Sequence, residues 1–530
     1  MSEPTTGATA PGRPVRAAVY NRFWHSMGGG ERHAGMIAQV LAAHGVQTEL
    51  IGHSDEVGLD ELSKRLGLDL SGCTMRVVPD RGDADLAARS SEYDVFVNAT
   101  YMSRLSAQAR RNAYLCFFPT PFDHDLAPWR RAAARVVGPS LRKFATNVSV
   151  GYGTGWFPPE GGRRRTWTWT SGSGILALDP GPSRTIQADF ARVGNTEPCP
   201  VMITNEHGAP IDRFEVTGQF QRRRIEVPAS VTGTEVHVTS PTFVPGGADL
   251  RTLGIAVSRL RILGSASVGA RAAGRFPWLV RDAHDFEFLQ TYDVVLANSA
   301  FTQTWIQRLW DTTAEILFPP IDVDGVVPAV ERNRTILSVG RFFTPSLGHA
   351  KRQLEMVQAF GAMVRAGGLQ GWQLVIVGGL EDSQIPYYEQ VREAAEGLPV
   401  TIHANAPREL VQQLLSTSSV FWSATGLGED EATAPWTQEH FGMTTVEAMA
   451  GGCVPVVIDR AGQREIVRDG VDGLRWSTIE ELAAMTRRVA SDDALRARLS
   501  AAAVERAKVF SDAAFADRWR QLAASYRLLD

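Results

Sequence analysis

Two glutamates, Glu439 and Glu447, are the residues whose types and spacing point most directly to chemistry. They bound the segment EHFGMTTVE, in which Gly442 separates a loop from an apolar helix predicted to begin near Thr444. The first turn of such a helix exposes N–H groups that suit a phosphate or a sugar hydroxyl. A structural interpretation stays open, because Thr444-x-x-Glu447 also fits a capping box in which the glutamate satisfies backbone donors.

Two further segments place basic residues or glycines where a strand leads into a helix. Arg341 follows a predicted strand and Lys351 precedes the next helix, so both could bind phosphate oxygens. A solvated run of charges is the alternative. Near the amino terminus Gly28, Gly29 and Gly30 lie between the first strand and the first helix, where backbone can approach an anion closely. They lack the GxGxxG dinucleotide spacing, and a tight turn is the alternative interpretation.

The composition limits the class of protein. A chain of 530 residues predicts two to four domains, and a formal net charge of −4 shows no basic excess, so nucleic acid is not an expected partner. Four scattered cysteines predict neither a disulfide framework nor a structural zinc site and fit a reducing compartment. No apolar run reaches the roughly 18 residues of a membrane span. The sequence therefore predicts a cytoplasmic protein.

The secondary-structure pattern of the elements that would position these residues changes along the chain. After a disordered tail at 1–14, strand-like and helical runs over 15–149 predict the first part of a Rossmann-like α/β domain. Residues 150–272 lose the helical period and predict an inserted, sandwich-like all-β domain. Its Trp167 and Trp169 share one sheet face, which predicts a packed core, with a sugar-stacking surface as the alternative.

The α/β pattern then returns twice. Residues 273–320 complete the N-terminal domain, and 321–511 predict a second Rossmann-like domain. A final helix is predicted within 512–530, where it could cross back to the N-terminal domain. Two α/β domains facing a cleft are therefore the expected architecture.

Together these segments resemble the GT-B glycosyltransferases of family 4, the group 1 glycosyl transferases. The resemblance rests on three motifs in order: GGGERHAG, then SVGRFF with HAKRQ, then EHFGMTTVEAMAGGCVPVV followed by AGQREIVRDGVDGL. It covers about residues 15–145 and 280–525 and leaves out the β insertion. It implies that the C-terminal domain binds a nucleotide-sugar donor, that the N-terminal domain faces the acceptor, and that the anomeric configuration is retained.

The resemblance also implies roles for individual residues. Arg341 and Lys351 would bind the donor diphosphate, and Glu439 would hold the sugar as the third catalytic residue. The implied donor site comprises Gly29, Gly30, Phe441, Gly442, Met443, Thr444, Thr445 and Glu447, the last for the ribose. Family members often carry a histidine where Phe117 aligns, and nearby His124 is a candidate on the acceptor side. No metal or other cofactor is expected.

The implied activity is retaining transfer of a hexose, with mannose as one candidate, from a GDP- or UDP-hexose. The acceptor would be a glycan or a lipid-linked sugar in cell-surface polysaccharide synthesis, which leaves peripheral association with a membrane open. One alternative is an α-glucan synthase or a sugar-phosphate-forming enzyme of the same fold. A second is a non-catalytic glycan-binding protein that uses the β domain.

Overall fold

The computed structural model describes residues 14–54, 57–80, 83–124, 126–142, 150–157, 159–162, 165–178, 184–194, 197–228, 235–245, 251–263, 276–280, 283, 285–345 and 348–529. The tail predicted at 1–14 lies outside the described residues except for Pro14, and the predicted boundary at 272/273 lies outside them as well.

The N-terminal domain is built on a seven-stranded parallel sheet. Its strands are β1 (Arg16–Tyr20), β2 (Gln47–Gly52), β3 (Cys73–Val77), β4 (Val95–Asn98), β5 (Arg111–Cys116), β16 (Val294–Ala297) and β17 (Glu315–Ile316), in the order β17-β16-β5-β4-β1-β2-β3. Residues 17–20 of β1 are all buried, as expected for a strand covered on both faces. The strand order reverses between β1 and β4, the position at which α/β sheets bind ligands.

The helices of this domain are α1 (Gly29–Ala43), α2 (Leu59–Leu66), α3 (Asp83–Ser90), α4 (Pro128–Arg142), α5 (Pro277–Val280) and α6 (Ala300–Trp310). Helices α1 and α2 pack on one face of the sheet, and α3 and α6 pack on the other. Helix α1 is buried along most of its length because it packs between the sheet and a helix from the far end of the chain.

The inserted domain consists of two antiparallel five-stranded sheets. The strands are β6 (Val150–Tyr152), β7 (Glu160–Gly162), β8 (Arg165–Trp169), β9 (Ser173–Leu178), β10 (Arg184–Ala191), β11 (Cys199–Asn205), β12 (Pro210–Val216), β13 (Gln221–Val227), β14 (Glu235–Thr239) and β15 (Ala256–Leu263). One sheet has the order β13-β10-β15-β8-β7 and the other β12-β11-β14-β9-β6. Both sheets contribute to one core, in which the rings of Phe190 and Phe214 are 5.1 Å apart. Trp169 is buried and Trp167 packs beside it, which confirms the packed-core interpretation of this pair.

The C-terminal domain contains a six-stranded parallel sheet. Its strands are β18 (Asn333–Val339), β19 (Gln373–Gly378), β20 (Val400–Ala404), β21 (Ser418–Ser423), β22 (Val454–Ile458) and β23 (Leu474–Trp476), in the order β20-β19-β18-β21-β22-β23. Its helices are α7 (Gln353–Arg365), α8 (Ile385–Ala395), α9 (Arg408–Thr417), α10 (Met443–Ala450), α11 (Gln463–Ile466), α12 (Ile479–Ser491) and α13 (Asp493–Ala507). The strand order reverses between β18 and β21, so their carboxyl ends form the second ligand-binding edge.

The last helix, α14 (Asp512–Ser525), returns to the N-terminal domain. Phe515 and Trp519 lie in the same core as Ile37 and Leu41 of α1. The chain therefore crosses between the two α/β domains once near residue 320 and again near residue 511, where Ile321 pairs with Ser511. Among the described residues, no helix has the length and apolar character needed to cross a bilayer.

Candidate active site

The segment after β21 places a helix start in the cleft. Gly442 has φ +115°, and a Cβ there would come within 2.7 Å of the Gln463 Nε2, so both conformation and space require glycine. Helix α10 begins at Met443, one residue before the predicted start, and no side chain caps it. The first-turn N–H groups of such a helix are left for solvent or a ligand. The capping-box interpretation of Thr444 and Glu447 is wrong, because Gly442 is the N-cap.

Glu439 and Lys351, predicted from separate motifs, form an ion pair. The Lys351 ammonium donates to the Glu439 carboxylate, and the Thr425 hydroxyl donates to the same oxygen over 3.3 Å. Burial acts to raise the pKa of Glu439, but the neighbouring Lys351 charge outweighs burial and the pKa lies below its ordinary value. Glu439 is therefore an anion at neutral pH. The stem of Lys351 passes over Gly340, where a Cβ would lie 2.6 Å from the Lys351 Cγ.

Arg341 lies at the carboxyl end of β18 with an exposed side chain. Its guanidinium is 4.9 Å from the centre of the Phe343 ring, and its charge contributes to lowering the pKa of His349. Gln353 donates to the carbonyls of Gly340 and Arg341 over 3.1 Å each, which fixes the turn. Arg341 thus belongs to the same charged cluster, although no contact joins it to Glu439 among the described residues.

Two histidines that the sequence analysis did not single out lie beside this pair. The rings of His349 and His440 meet edge to face at 4.4 Å, and His440 stacks on Phe118 of the N-terminal domain at 3.9 Å. Burial lowers the pKa of His349 to about 4 and also lowers that of His440, so both rings are neutral at physiological pH. In the sequence, their positions inside the HAKRQ and EHFG motifs could have identified them as site residues.

The opposite wall of the cleft is the start of α1. Gly28 is its N-cap, and the Glu31 carboxylate accepts from the Gly28 N–H at 2.8 Å and from the Ser26 hydroxyl at 2.6 Å. A Cβ at Gly29 would collide with the Met443 sulfur, so the starts of α1 and α10 approach each other directly. Gly30 instead faces Phe117, which a Cβ would approach to 3.4 Å.

A cavity of about 260 Å³ lies between the two helix starts. Its lining includes Gly28, Gly29, Arg32, Arg65, Asp322, Arg408, Met443 and Glu447. Burial raises the pKa of Glu447, although Arg32 and Arg408 act in the opposite direction. Among the described residues no group donates a hydrogen bond to this carboxylate. It is therefore available to accept hydrogen bonds from the hydroxyl groups of a ligand.

The remaining candidates lie elsewhere or are already bonded. Phe441 is buried against Phe318 and Phe510, and the N–H of Thr445 donates to the carbonyl of Gly442. Thr444 is half-buried in the first turn of α10. His124 is exposed, with its Nδ1 2.9 Å from the carbonyl of Pro121, and does not line the cavity. Within the described part of the chain, no group of three or more His, Cys, Asp or Glu side chains could hold a metal ion.

A known family is similar to the part of the chain that carries Arg341, Lys351, Glu439 and Glu447. Residues 324–506 match the family model of glycosyl transferases group 1. The chain is 29% identical over 208 residues to a GDP-Man:Man(3)GlcNAc(2)-PP-Dol alpha-1,2-mannosyltransferase of Dictyostelium discoideum, covering 36% of this chain and 39% of that protein. It is 27% identical over 216 residues to the alpha-1,3/1,6-mannosyltransferase ALG2 of Rhizomucor pusillus, covering 34% and 46%. The chain thus spans less than half the length of these curated relatives.

Solved structures match nearly the whole chain. Anabaena Alr3699/HepE in complex with UDP and glucose aligns with a TM-score of 0.52 at 11% identity, covering 96% of this chain and 100% of that one. Sucrose-phosphate synthase from Thermosynechococcus elongatus aligns with a TM-score of 0.52 at 12% identity, covering 97% and 100%. These likenesses show the GT-B fold, with two Rossmann-like domains facing a cleft. Residues 324–506, the segment similar to the glycosyl transferases group 1, carry Arg341, Lys351, Glu439 and Glu447.

Proposed function

We propose that the protein is a retaining hexosyltransferase of family 4 that uses a nucleotide-sugar donor. The observation that carries this proposal is the direct approach of two helix starts, at Gly29 and Met443. An ion pair accompanies it, between Lys351 and Glu439 of the loop that leads into α10. Each helix start presents N–H groups and the positive end of a dipole. Two of them facing one cavity form a site suited to a diphosphate.

The same geometry supports a mechanism based on electrostatic stabilisation. When the bond from the sugar C1 to the diphosphate oxygen breaks, negative charge develops on the diphosphate. Lys351, Arg341 and the first-turn N–H groups of α10 would stabilise it. The acceptor oxygen would bond to C1 on the face that the diphosphate leaves, and its proton would pass to the departing oxygen. No covalent enzyme intermediate is required.

Glu439 and Glu447 would contact different parts of the donor. Glu439, ionised and held by Lys351 and Thr425, would accept hydrogen bonds from sugar hydroxyls and orient the lysine. Glu447 would accept hydrogen bonds from the ribose, which would compensate its burial. Because side chains and helix starts supply positive charge, we propose that transfer needs no divalent metal.

The relatives support one choice of donor and acceptor. Both curated relatives described above are mannosyltransferases, and the first is named for a GDP-Man donor and a PP-Dol-linked acceptor. We therefore propose GDP-mannose as the first donor to test, ahead of UDP-hexoses. The acceptor would be a glycan or a lipid-linked sugar of a surface polysaccharide.

Replacement of the paired residues tests the proposal. We expect Lys351→Ala and Glu439→Gln each to lower the turnover of hexose transfer by about 100-fold, as loss of a group that stabilises developing charge does. The matched controls are Lys508→Ala and Glu393→Gln, which change exposed residues outside the cleft. Transfer is measured with a panel of radiolabelled nucleotide sugars, with and without EDTA, and folding is checked by thermal melting.

Two results would contradict the proposal. One is full transfer activity in both cleft variants. The other is the absence of any thermal shift with every GDP- and UDP-sugar tested. Loss of activity on adding EDTA would overturn only the metal-independent part.

A further inference from the structure

Helix α4 directs its apolar residues away from the protein. In the segment PWRRAAARVVGPSLR the apolar positions recur at the spacing of one helix face: Trp129, Ala132, Val136 and Pro139. Such a stripe normally faces the core of a soluble domain. Here the Trp129 side chain is 63% exposed and that of Val136 is 78% exposed, whereas the small residues Ala134 and Gly138 are buried.

The short helix α5 extends this apolar surface. The rings of Trp129 and Trp278 meet edge to face at 5.7 Å, and the Phe276 ring lies 6.4 Å from that of Trp278. Phe276 is 41% exposed and Val137 is 43% exposed. We call the surface formed by Trp129, Val136, Val137, Phe276 and Trp278 the α4–α5 face. Exposed apolar patches that join aromatic and aliphatic residues mark interaction sites.

The charges on helix α4 have a single sign. Helix α4 contains four arginines and no acidic residue, in a chain whose formal net charge is −4. The Arg130 guanidinium lies 5.2 Å from the Trp129 ring and 5.5 Å from the Trp278 ring, and Arg135 is exposed. Arg131 instead donates to the carbonyls of residues 123, 124 and 126 and so anchors the helix start.

This combination matches one kind of partner. A helix with tryptophan and valine on one side, flanked by arginines, has the composition of helices that lie in the lipid interface. Tryptophan favours the level of the head groups, and arginine is attracted to anionic lipids. A protein partner would have to offer both an apolar groove and matching acidic groups.

The position of the face relates it to the cleft. Strand β5 leads into Phe118, which stacks on His440 between the two domains. Helix α4 begins at residue 128, shortly after Phe118 in the chain, and Arg131 bonds its start to carbonyls of the intervening loop. A surface bound at α4 would therefore contact the N-terminal domain, through a helix that this loop connects to Phe118.

We infer that the α4–α5 face docks the protein onto a membrane surface containing anionic lipids. Trp129 and Val136 insert at the level of the head groups, and Arg130 and Arg135 contact the lipid phosphates. This docking goes beyond the proposed transfer reaction and holds whether or not the protein transfers a hexose.

Vesicle sedimentation with the full chain tests the inference. We expect the protein to sediment with vesicles of phosphatidylglycerol and phosphatidylcholine, to bind pure phosphatidylcholine weakly, and to dissociate as salt is raised. Arg130→Gln with Arg135→Gln should lower the partition coefficient by about 30-fold. Trp129→Ala with Val136→Ser should lower it by about 10-fold. The control pair is Val330→Ser with Arg392→Gln, both exposed on the C-terminal domain.

Loss of vesicle binding can be distinguished from loss of folding, because the substituted residues are exposed and thermal melts report folding independently. Retained binding in both α4 double variants, or no binding of the wild type to anionic vesicles, overturns the inference. Light scattering tests whether the protein instead self-associates through the α4–α5 face. If the wild type self-associates without binding vesicles and the Trp129→Ala, Val136→Ser variant is monomeric, the face is a protein interface instead.

Discussion

At the scale of single residues, the proposed role of Glu447 in donor binding has a cost in the stability of the unliganded protein. Its carboxylate lines the cavity between the domains, where burial raises its pKa despite Arg32 and Arg408. A buried anion without hydrogen-bond donors destabilises the unliganded protein. The ribose hydroxyls of the proposed donor would supply those donors, so the unfavourable burial would be relieved only on binding.

We expect Glu447→Gln to stabilise the unliganded protein in a pH-dependent way. Because the folded pKa of Glu447 is raised, the folded state holds more protons than the unfolded state between the two pKa values. Wild-type stability therefore falls as pH rises above the ordinary glutamate pKa of about 4.3. The melting temperature of Glu447→Gln should exceed that of the wild type at pH 7, and the difference should vanish below about pH 4.

The same variant should bind the donor about 10-fold more weakly, since a charged acceptor is lost. Glu393→Gln, on the exposed side of α8, is the matched control for both measurements. An unchanged melting temperature at pH 7 together with unchanged donor affinity would contradict both the unfavourable burial of Glu447 and its role in donor binding.

The sequence alone could not decide the role of Glu447. Thr444 and Glu447 have the spacing of a capping box, and only the φ of Gly442 shows that the cap lies elsewhere. Lys351 and Glu439 were predicted as site residues from separate motifs, but their direct contact depends on the fold. His349 and His440 were missed because a lone histidine beside a charged residue has no distinctive spacing.

At the scale of elements, the start of α10 depends on the backbone of Gly442. Its φ of +115° and the nearby Gln463 Nε2 leave no room for a side chain. A displaced Gly442 would move the first-turn N–H groups that face the cavity. The position of this helix start is therefore set by one residue.

We expect Gly442→Ala to destabilise the protein by about 2 kcal/mol and to abolish measurable donor binding. Gly367→Ala is the control, because Gly367 also has positive φ, +78°, but open space where the Cβ would lie. That variant should lose about 1 kcal/mol and bind the donor normally. Urea unfolding and calorimetric titration supply the two measurements. Normal donor affinity in Gly442→Ala would contradict the role assigned to the α10 start.

The sequence predicted the kind of most elements but not their pairing. The switch from helical to alternating periodicity after residue 150 predicted the β insertion, yet the division of its strands between two sheets depends on contacts distant in sequence. Helix α13 was not predicted. Its buried residues, Leu495, Leu499, Ala503 and Ala507, recur every fourth position, but the segment is rich in alanine and arginine and its apolar face is weak.

At the scale of the whole molecule, several contacts join the two α/β domains. The Glu465 carboxylate, next to α10, accepts from the N–H groups of Ala300 and Phe301 at 2.7 Å each and so caps α6 of the other domain. Arg408 donates to the carbonyl of Arg65 over 3.3 Å. The structure therefore shows a closed cleft, with a helix start of the first domain bonded to a side chain of the second.

We expect Glu465→Ala to weaken this closure. Loss of a charged cap on two N–H groups should lower stability by about 1–2 kcal/mol and raise the donor KM, because donor binding requires both walls of the cavity. Glu481→Ala is the control, since that carboxylate bonds the N–H of Ser477 within one domain. Differential scanning calorimetry and initial-rate kinetics are the measurements. Equal donor KM values for the two variants would show that the Glu465 contact does not support closure.

The return of α14 to the first domain also affects the order in which the chain can fold. Phe515, Trp519 and Leu522 complete a core whose other members include Val19 of β1 and Ile37 of α1. During synthesis the first five strands of the N-terminal sheet and helix α1 emerge from the ribosome long before α14 is made, so the α1 side of the sheet stays uncovered while the β insertion and the second domain are synthesised. Chaperones that bind exposed apolar surface would therefore have the longest access to this side of the first domain. If translation stopped before residue 512, the core of the first domain would remain incomplete.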